Sequence, residues 1–157
     1  MASSSYVDPR ISKVALPYRI FFLYMEPIFA LGGAYLCLFD PAQFLIRTAP
    51  ASIYSDRPYA TTPAIDFLAA DVGALYLLFA INEGITLRLT RDYSVWKSVV
   101  AAMLVCDFGH LWGVYSVAPE QSLDFVRWTN EEWFNYLILI FGVILRAAFL
   151  MGIGNKR

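Results

Sequence analysis

Trp133–Ile153 reads WFNYLILIFGVILRAAFLMGI, a run whose one charge is Arg146. At ~1.5 Å of rise per residue it makes a helix about 30 Å long, the thickness of a bilayer's hydrocarbon core. A helix on a soluble core would show one polar face, whereas this run is apolar nearly all round, as a membrane span is. Working back through the chain, three further runs of that length occur, at about 18–39, 64–87 and 95–117. Four such runs in 157 residues leave too little chain to bury them in water. The expected fold is therefore all-α: a single polytopic membrane domain over residues 1–157, a bundle of four transmembrane helices.

Composition agrees. The chain is 59% hydrophobic, 16% charged and has a mean hydropathy of +0.53, whereas soluble domains are about 45–50% apolar and about 25% charged. A net charge of −1 offers no basic surface, so nucleic acid is excluded as an expected partner. Cys37 and Cys106 fall inside apolar runs and read as small buried hydrophobes. No CxxC or Cys/His spacing marks a metal, and no cofactor is expected. The first nineteen residues show no apolar core followed by a small-residue cleavage site, so the first span is the expected targeting element.

Lys and Arg orient the bundle. Arg10, Lys13, Arg19, Arg88, Arg91, Lys97, Lys156 and Arg157 fall on one side, and Arg47, Arg57 and Arg127 on the other. Positive-inside bias puts both termini in the cytoplasm, in the endoplasmic reticulum or another endomembrane. Tyr18 and Trp96 at one interface, and Trp128 and Trp133 at the other, are expected to form aromatic belts. Residues 40–63 read as a long Pro-rich loop, residues 88–94 as a tight turn and residues 118–132 as an acidic loop. Ala30/Ala34, Ala69/Gly73, Ala70/Ala74 and Ala80/Gly84 are small residues four apart, the spacing that lets membrane helices approach closely. Common Ala and Gly usage explains such pairs equally well.

The functional information lies in the polar residues at bilayer depth: Glu26, Asp71, Asn82, Glu83, Asp107, His110, Asn135 and Arg146. A charge at a helix centre costs ~2.5–3.5 kcal/mol or more on insertion, so such residues face the interior and pair. Counting rise places Glu26, Glu83 and Arg146 in the cytoplasmic half and Asp71 and His110 in the other, joined by Asp107 near the midplane. Asn135, Leu139, Gly142 and Arg146 follow one helical face. Several readings coexist. Arg146 either snorkels to headgroups or bridges to Glu26. Glu83 either reaches the interface or joins a polar core. His110 either hydrogen-bonds Asp107 or serves as a proton relay. Glu26, Asp107 and His110 are the candidates for catalysis. Asp71, Asn82, Glu83, Asn135 and Arg146 are candidates for a ligand-binding or structural polar core. No metal site is expected.

Four stretches, LPYRIFFLYMEP with the FDP beyond it, INEGITLRLTRD and CDFGHLW, resemble a family of small uncharacterised fungal integral membrane proteins over about residues 16–153. That resemblance implies a four-helix membrane fold and no stated activity. A looser architectural likeness is to the sterol-isomerase and sigma-2-receptor superfamily, whose members hold acidic residues and a His in a pocket open to the membrane. These features fit two functions from different classes. One is a structural, accessory or lipid-binding bundle, with membrane lipids, a hydrophobic small molecule, another membrane protein or a second copy as partner. The other is a membrane-embedded acid/base enzyme, an isomerase or cyclase acting on a sterol, terpenoid or other lipid.

Overall fold

The four apolar runs become four long helices in the computed structural model, which describes residues 8–53 and 61–154. They span Leu16–Phe39, Pro63–Leu89, Tyr93–Val117 and Asn130–Leu150, and each is long and apolar enough to cross a membrane. No strand occurs among the described residues. Arg57, Lys156 and Arg157, used for orientation, lie outside them.

Local chemistry sets the helix starts. Thr62 Oγ1 accepts from the N–H of Ile65 ahead of Pro63, and Asp92 accepts from the N–H of Ser94. Thr129 and Glu132 form a reciprocal capping box at the fourth span. That box explains why the fourth helix begins at Asn130 and not at Trp133. Hydropathy marks where lipid begins, whereas capping marks where the helix begins. Its far end closes at Gly152, whose φ of 76° is the left-handed conformation that glycine adopts without strain.

The helices pack as two pairs. The first and second spans run together along their length. Their seam is the small-residue one: Ala30, Ala34 and Cys37 are buried against Ala69, Gly73 and Ala80. A Cβ on Gly73 would lie 3.0 Å from both Cys37 Cβ and Leu38 Cγ, so the helices approach as closely as glycine permits. Ala70 and Ala74 are exposed and take no part. The third and fourth spans form the other pair.

Both pairs converge at the end that carries the chain termini. Tyr18 and Phe22 of the first span, Leu87 of the second, Trp96 and Val100 of the third and Phe149 of the fourth form one cluster. Phe149 is edge-on to Tyr18 and Phe22, with ring centroids 5.5 and 5.7 Å away. Tyr18 and Trp96 therefore do not form an interfacial belt. They are 6% and 2% exposed because convergence of four helices buries their rings, and the Tyr18 hydroxyl donates to the Ile153 carbonyl at 2.7 Å. At the opposite end Trp128 packs against Trp133 and Tyr136, centroids 4.9 and 4.7 Å apart.

The stretch after the first span is not a plain loop. Asp40 caps an eight-residue helix, Pro41–Thr48, by accepting from the Gln43 N–H at 3.1 Å. This helix packs against the first, second and fourth spans at the loop end. Glu132 fastens the turn beyond it. Besides its own cap, its carboxylate accepts from the Ala51 N–H at 3.0 Å and from Gln121 Nε2 at 2.6 Å.

Two spans carry a widened turn with i→i+5 bonding, at Phe21–Met25 and Asn82–Thr86, and these turns pack on each other. The first has a clear cause. Pro27 has no N–H, so the carbonyl of Leu23 loses its ordinary helical donor. The Arg88 guanidinium of the second span donates to that carbonyl and lies over the Tyr24 ring, 4.5 Å from its centroid.

Candidate functional site

Each span brings one ionisable side chain to a common region. Arg146 lies about 6 Å from the terminal end of the fourth span, and Glu83 about 9 Å from that end of the second. Glu26 lies about 15 Å and Asp107 about 21 Å from that end of theirs, and the long arginine side chain closes the difference in depth. The guanidinium forms salt bridges with Glu26 of the first span and Asp107 of the third. Arg146 is 3% exposed. Space for it comes from Gly142, one turn earlier on the same face: a Cβ there would stand 2.6 Å from Arg146 Nη1. Glu83 is 1% exposed and lies within electrostatic reach of Asp107.

Above this ion-pair network the helix pairs splay and leave a partly open cavity of about 910 Å³ between them. Glu26, Asp107 and Arg146 line its floor, and His110, one turn beyond Asp107, lines its wall. Phe29, Leu36, Leu75, Phe79, Phe134 and Leu139 make most of the shaft apolar. Gln43, Arg47 and Thr48 of the loop helix, with Asn130, Glu131 and Asn135, make the mouth polar. Asn135 Nδ2 donates to the Thr48 carbonyl at 3.4 Å and so ties the loop helix to the fourth span.

The sequence-predicted residues thus divide. Glu26, Asp107, His110 and Arg146 come together. Asp107, expected from its depth to join the two groups, bonds Arg146 directly and so joins the Glu26–Arg146 group. Asn135 belongs to the mouth, about 16 Å along its helix from Arg146. Glu83 is buried behind the floor, and Asn82 is partly exposed and lines no part of the cavity. Asp71 does not join the polar core. It is exposed on the second span, because the inward face there is set by Ala69 and Gly73. Cys106 is also exposed and lines the cavity, unlike buried Cys37.

Three contributors escape sequence reasoning. Gly142 shows only once the guanidinium's place is known. Arg88 looks like one more interfacial cation, although Pro27 signals that some donor must supply the freed carbonyl. Glu132 is legible as the last residue of the T-x-x-E box at Thr129. Among the described residues, no group of three His, Cys, Asp or Glu side chains is placed to hold a metal ion.

Six buried polar atoms lack a hydrogen-bond partner among the described residues: Glu83 Oε2, Trp96 Nε1 and Tyr136 Oη belong to residues that do not line the cavity, and Glu26 Oε2, His110 Nε2 and Arg146 Nε to residues that do. Buried polar atoms normally have one, so the last three mark where a ligand's polar group or a water in the cavity would be bound most favourably.

Comparison with known proteins adds a family. A domain of unknown function (DUF7704) matches residues 11–156. The chain belongs to that family. The match takes in all four spans and every residue of the ion-pair network, so the whole described site lies within the DUF7704 domain. No curated protein and no solved structure matches.

Proposed function

We propose that this protein holds a lipid-like amphiphile between its two helix pairs, polar end on the Glu26–Arg146–Asp107 floor and apolar body in the shaft. The observation that carries this reading is an apolar cavity of about 910 Å³ whose floor is an ion-pair network with unsatisfied polar atoms. Its size falls within the few hundred to ~1,000 Å³ of small-molecule sites, which are likewise mostly apolar with a few placed polar groups. A purely structural bundle would bring the same charges together in a packed core. The Lys/Arg asymmetry supports a cytoplasmic terminal end, so the mouth faces the other leaflet.

The test is the purified protein. Organic extracts of the wild type should contain an amphiphile in near-stoichiometric amount by mass spectrometry. Met103 is buried and lines the cavity at the depth of Glu26, so Met103→Trp puts an indole where the polar end would sit and should displace that molecule while leaving the helical circular dichroism intact. Identical lipid content in both proteins overturns the proposal.

A second reading, acid/base chemistry on the held molecule, is favoured by one observation. Glu26 Oε2 and His110 Nε2 are both free on residues that line the cavity. Asp107, engaged by Arg146, then positions the guanidinium. Glu26→Gln and His110→Gln should each abolish turnover of the extracted molecule, His110→Gln with melting unchanged and Glu26→Gln with the added loss of one ion-pair partner of Arg146. Continued turnover in both variants removes this reading.

A further inference from the structure

We infer that the polar end of the ligand is a hydrogen-bond donor without negative charge, a hydroxyl or a protonated amine. This inference rests on the amphiphile reading and deepens it. The argument is a charge balance at the floor. Two carboxylates, Glu26 and Asp107, hold one guanidinium, and a third carboxyl, Glu83, is buried within electrostatic reach of Asp107. The guanidinium's two terminal nitrogens are already engaged, one by each of Glu26 and Asp107. Its Nε has no partner, but an anion approaching that single N–H would sit beside two carboxylates. In a low-dielectric site like charges repel strongly, so a carboxylate or phosphate head is disfavoured there. The free acceptor is Glu26 Oε2, and His110 Nε2 on the wall is also unpartnered. An O–H or N–H can donate to Glu26, whereas an anionic head cannot.

The other cation lining the cavity is Arg47 at the mouth. An anionic head could bind there with its tail toward the floor, but this would leave the floor's acceptors unpaired against hydrocarbon, at the cost of buried unsatisfied groups. The shaft from Asn135 to Arg146 is about 16 Å long, roughly the reach of a dodecyl chain.

The experiment uses the full chain in phosphatidylcholine nanodiscs at neutral pH, with dodecanol, dodecylamine and dodecanoate as matched probes. Dodecanol and dodecylamine should each raise the melting temperature by about 4 °C or more at saturating concentration, and dodecanoate should not. Met103→Trp should abolish the rises, which assigns them to the cavity. Glu26→Gln should shrink the amine's rise more than the alcohol's, because the amine loses a charged partner and the alcohol keeps an acceptor. If dodecanoate matches or exceeds dodecanol and Met103→Trp abolishes its effect, the head-group assignment falls and the cavity reading stands. If no probe acts, or all act equally in Met103→Trp, the cavity reading falls and this inference with it.

Discussion

Arg146 is the residue on which most of the buried charge depends, and its two partners make a sharper test than a single ion pair would. Removing one side of a buried pair leaves the other charge uncompensated, typically at 3–5 kcal/mol. With Glu26 and Asp107 both on the guanidinium, Arg146→Leu strands two carboxylates. Adding Glu26→Gln relieves one of them. Only the triple variant with Asp107→Asn relieves both. Melting temperature in detergent should therefore rise stepwise from the single to the double to the triple variant. A double variant already equal to the triple one would show that Asp107 does not share the charge. This residue pattern is half legible in the sequence. An Arg and a Glu at similar depth on polar-poor helices demand each other. Counting rise places Asp107 near the midplane as the link between the depth groups, but the reach of the arginine side chain, which makes that link a direct bond, is not a property of spacing. Asp71 shows the converse failure: depth alone admits it, and only packing of the small-residue seam turns it outward.

At the scale of elements, the four spans can be read from hydropathy because bilayer thickness fixes their length. The loop helix Pro41–Thr48 cannot, being short and amphipathic, although Asp40-Pro41 is a helix-start signature as well as a stop signal. The widened turn before Pro27 makes a coupled prediction. Arg88→Leu leaves the Leu23 carbonyl without its donor, at a cost of about 1–3 kcal/mol. Pro27→Ala restores a backbone N–H that can serve that carbonyl, so Arg88→Leu should cost clearly less in the Pro27→Ala background. Equal costs in the two backgrounds, measured by thermal or denaturant unfolding, would sever that link. Outside the spans, the short helix Pro9–Ser12 gives a pH prediction. Hydrogen bonds from the Arg10 side chain, then from its backbone N–H, lower the Asp8 carboxyl from 3.8 to about 2. Asp92, held by the backbone N–H of Ser94 and then its hydroxyl, is lowered too. A carboxyl lowered on folding contributes stability above its unfolded pKa and loses it as pH falls through the folded value. The contact between Asp8 N–H and the Arg91 carbonyl, 2.9 Å long, should hold above about pH 4 and fray toward pH 2. Amide exchange at Asp8 and Arg10 reads this out. Protection unchanged down to pH 2 would contradict it.

The whole molecule is two helix pairs joined firmly at one end and parted at the other, and this sets how a lost side chain is felt. Composition and periodicity announce a bundle but not this asymmetry, because each span is apolar on nearly every face and no stripe says which neighbour it prefers. The aromatic cluster at the terminal end holds the pairs together. Phe149 is 0% exposed, and its ring lies against Tyr18, Phe22, Tyr93 and Trp96. Those partners come from both pairs and from the start of the third helix, so a void at Phe149 cannot collapse without moving all of them. Phe149→Ala should cost about 3–5 kcal/mol, the range for a fully packed aromatic. Met103 is nearly as buried, at 7% exposed, but one side of it already faces the cavity. Truncating it enlarges an existing space and removes fewer contacts, so Met103→Ala should fall near the lower end of the usual ~2–5 kcal/mol. Unfolding both variants in the same detergent separates a parted bundle from a uniformly packed one. A Met103→Ala cost equal to that of Phe149→Ala would mean that the helices close up around Met103 as tightly as they do around Phe149, leaving no room for a ligand.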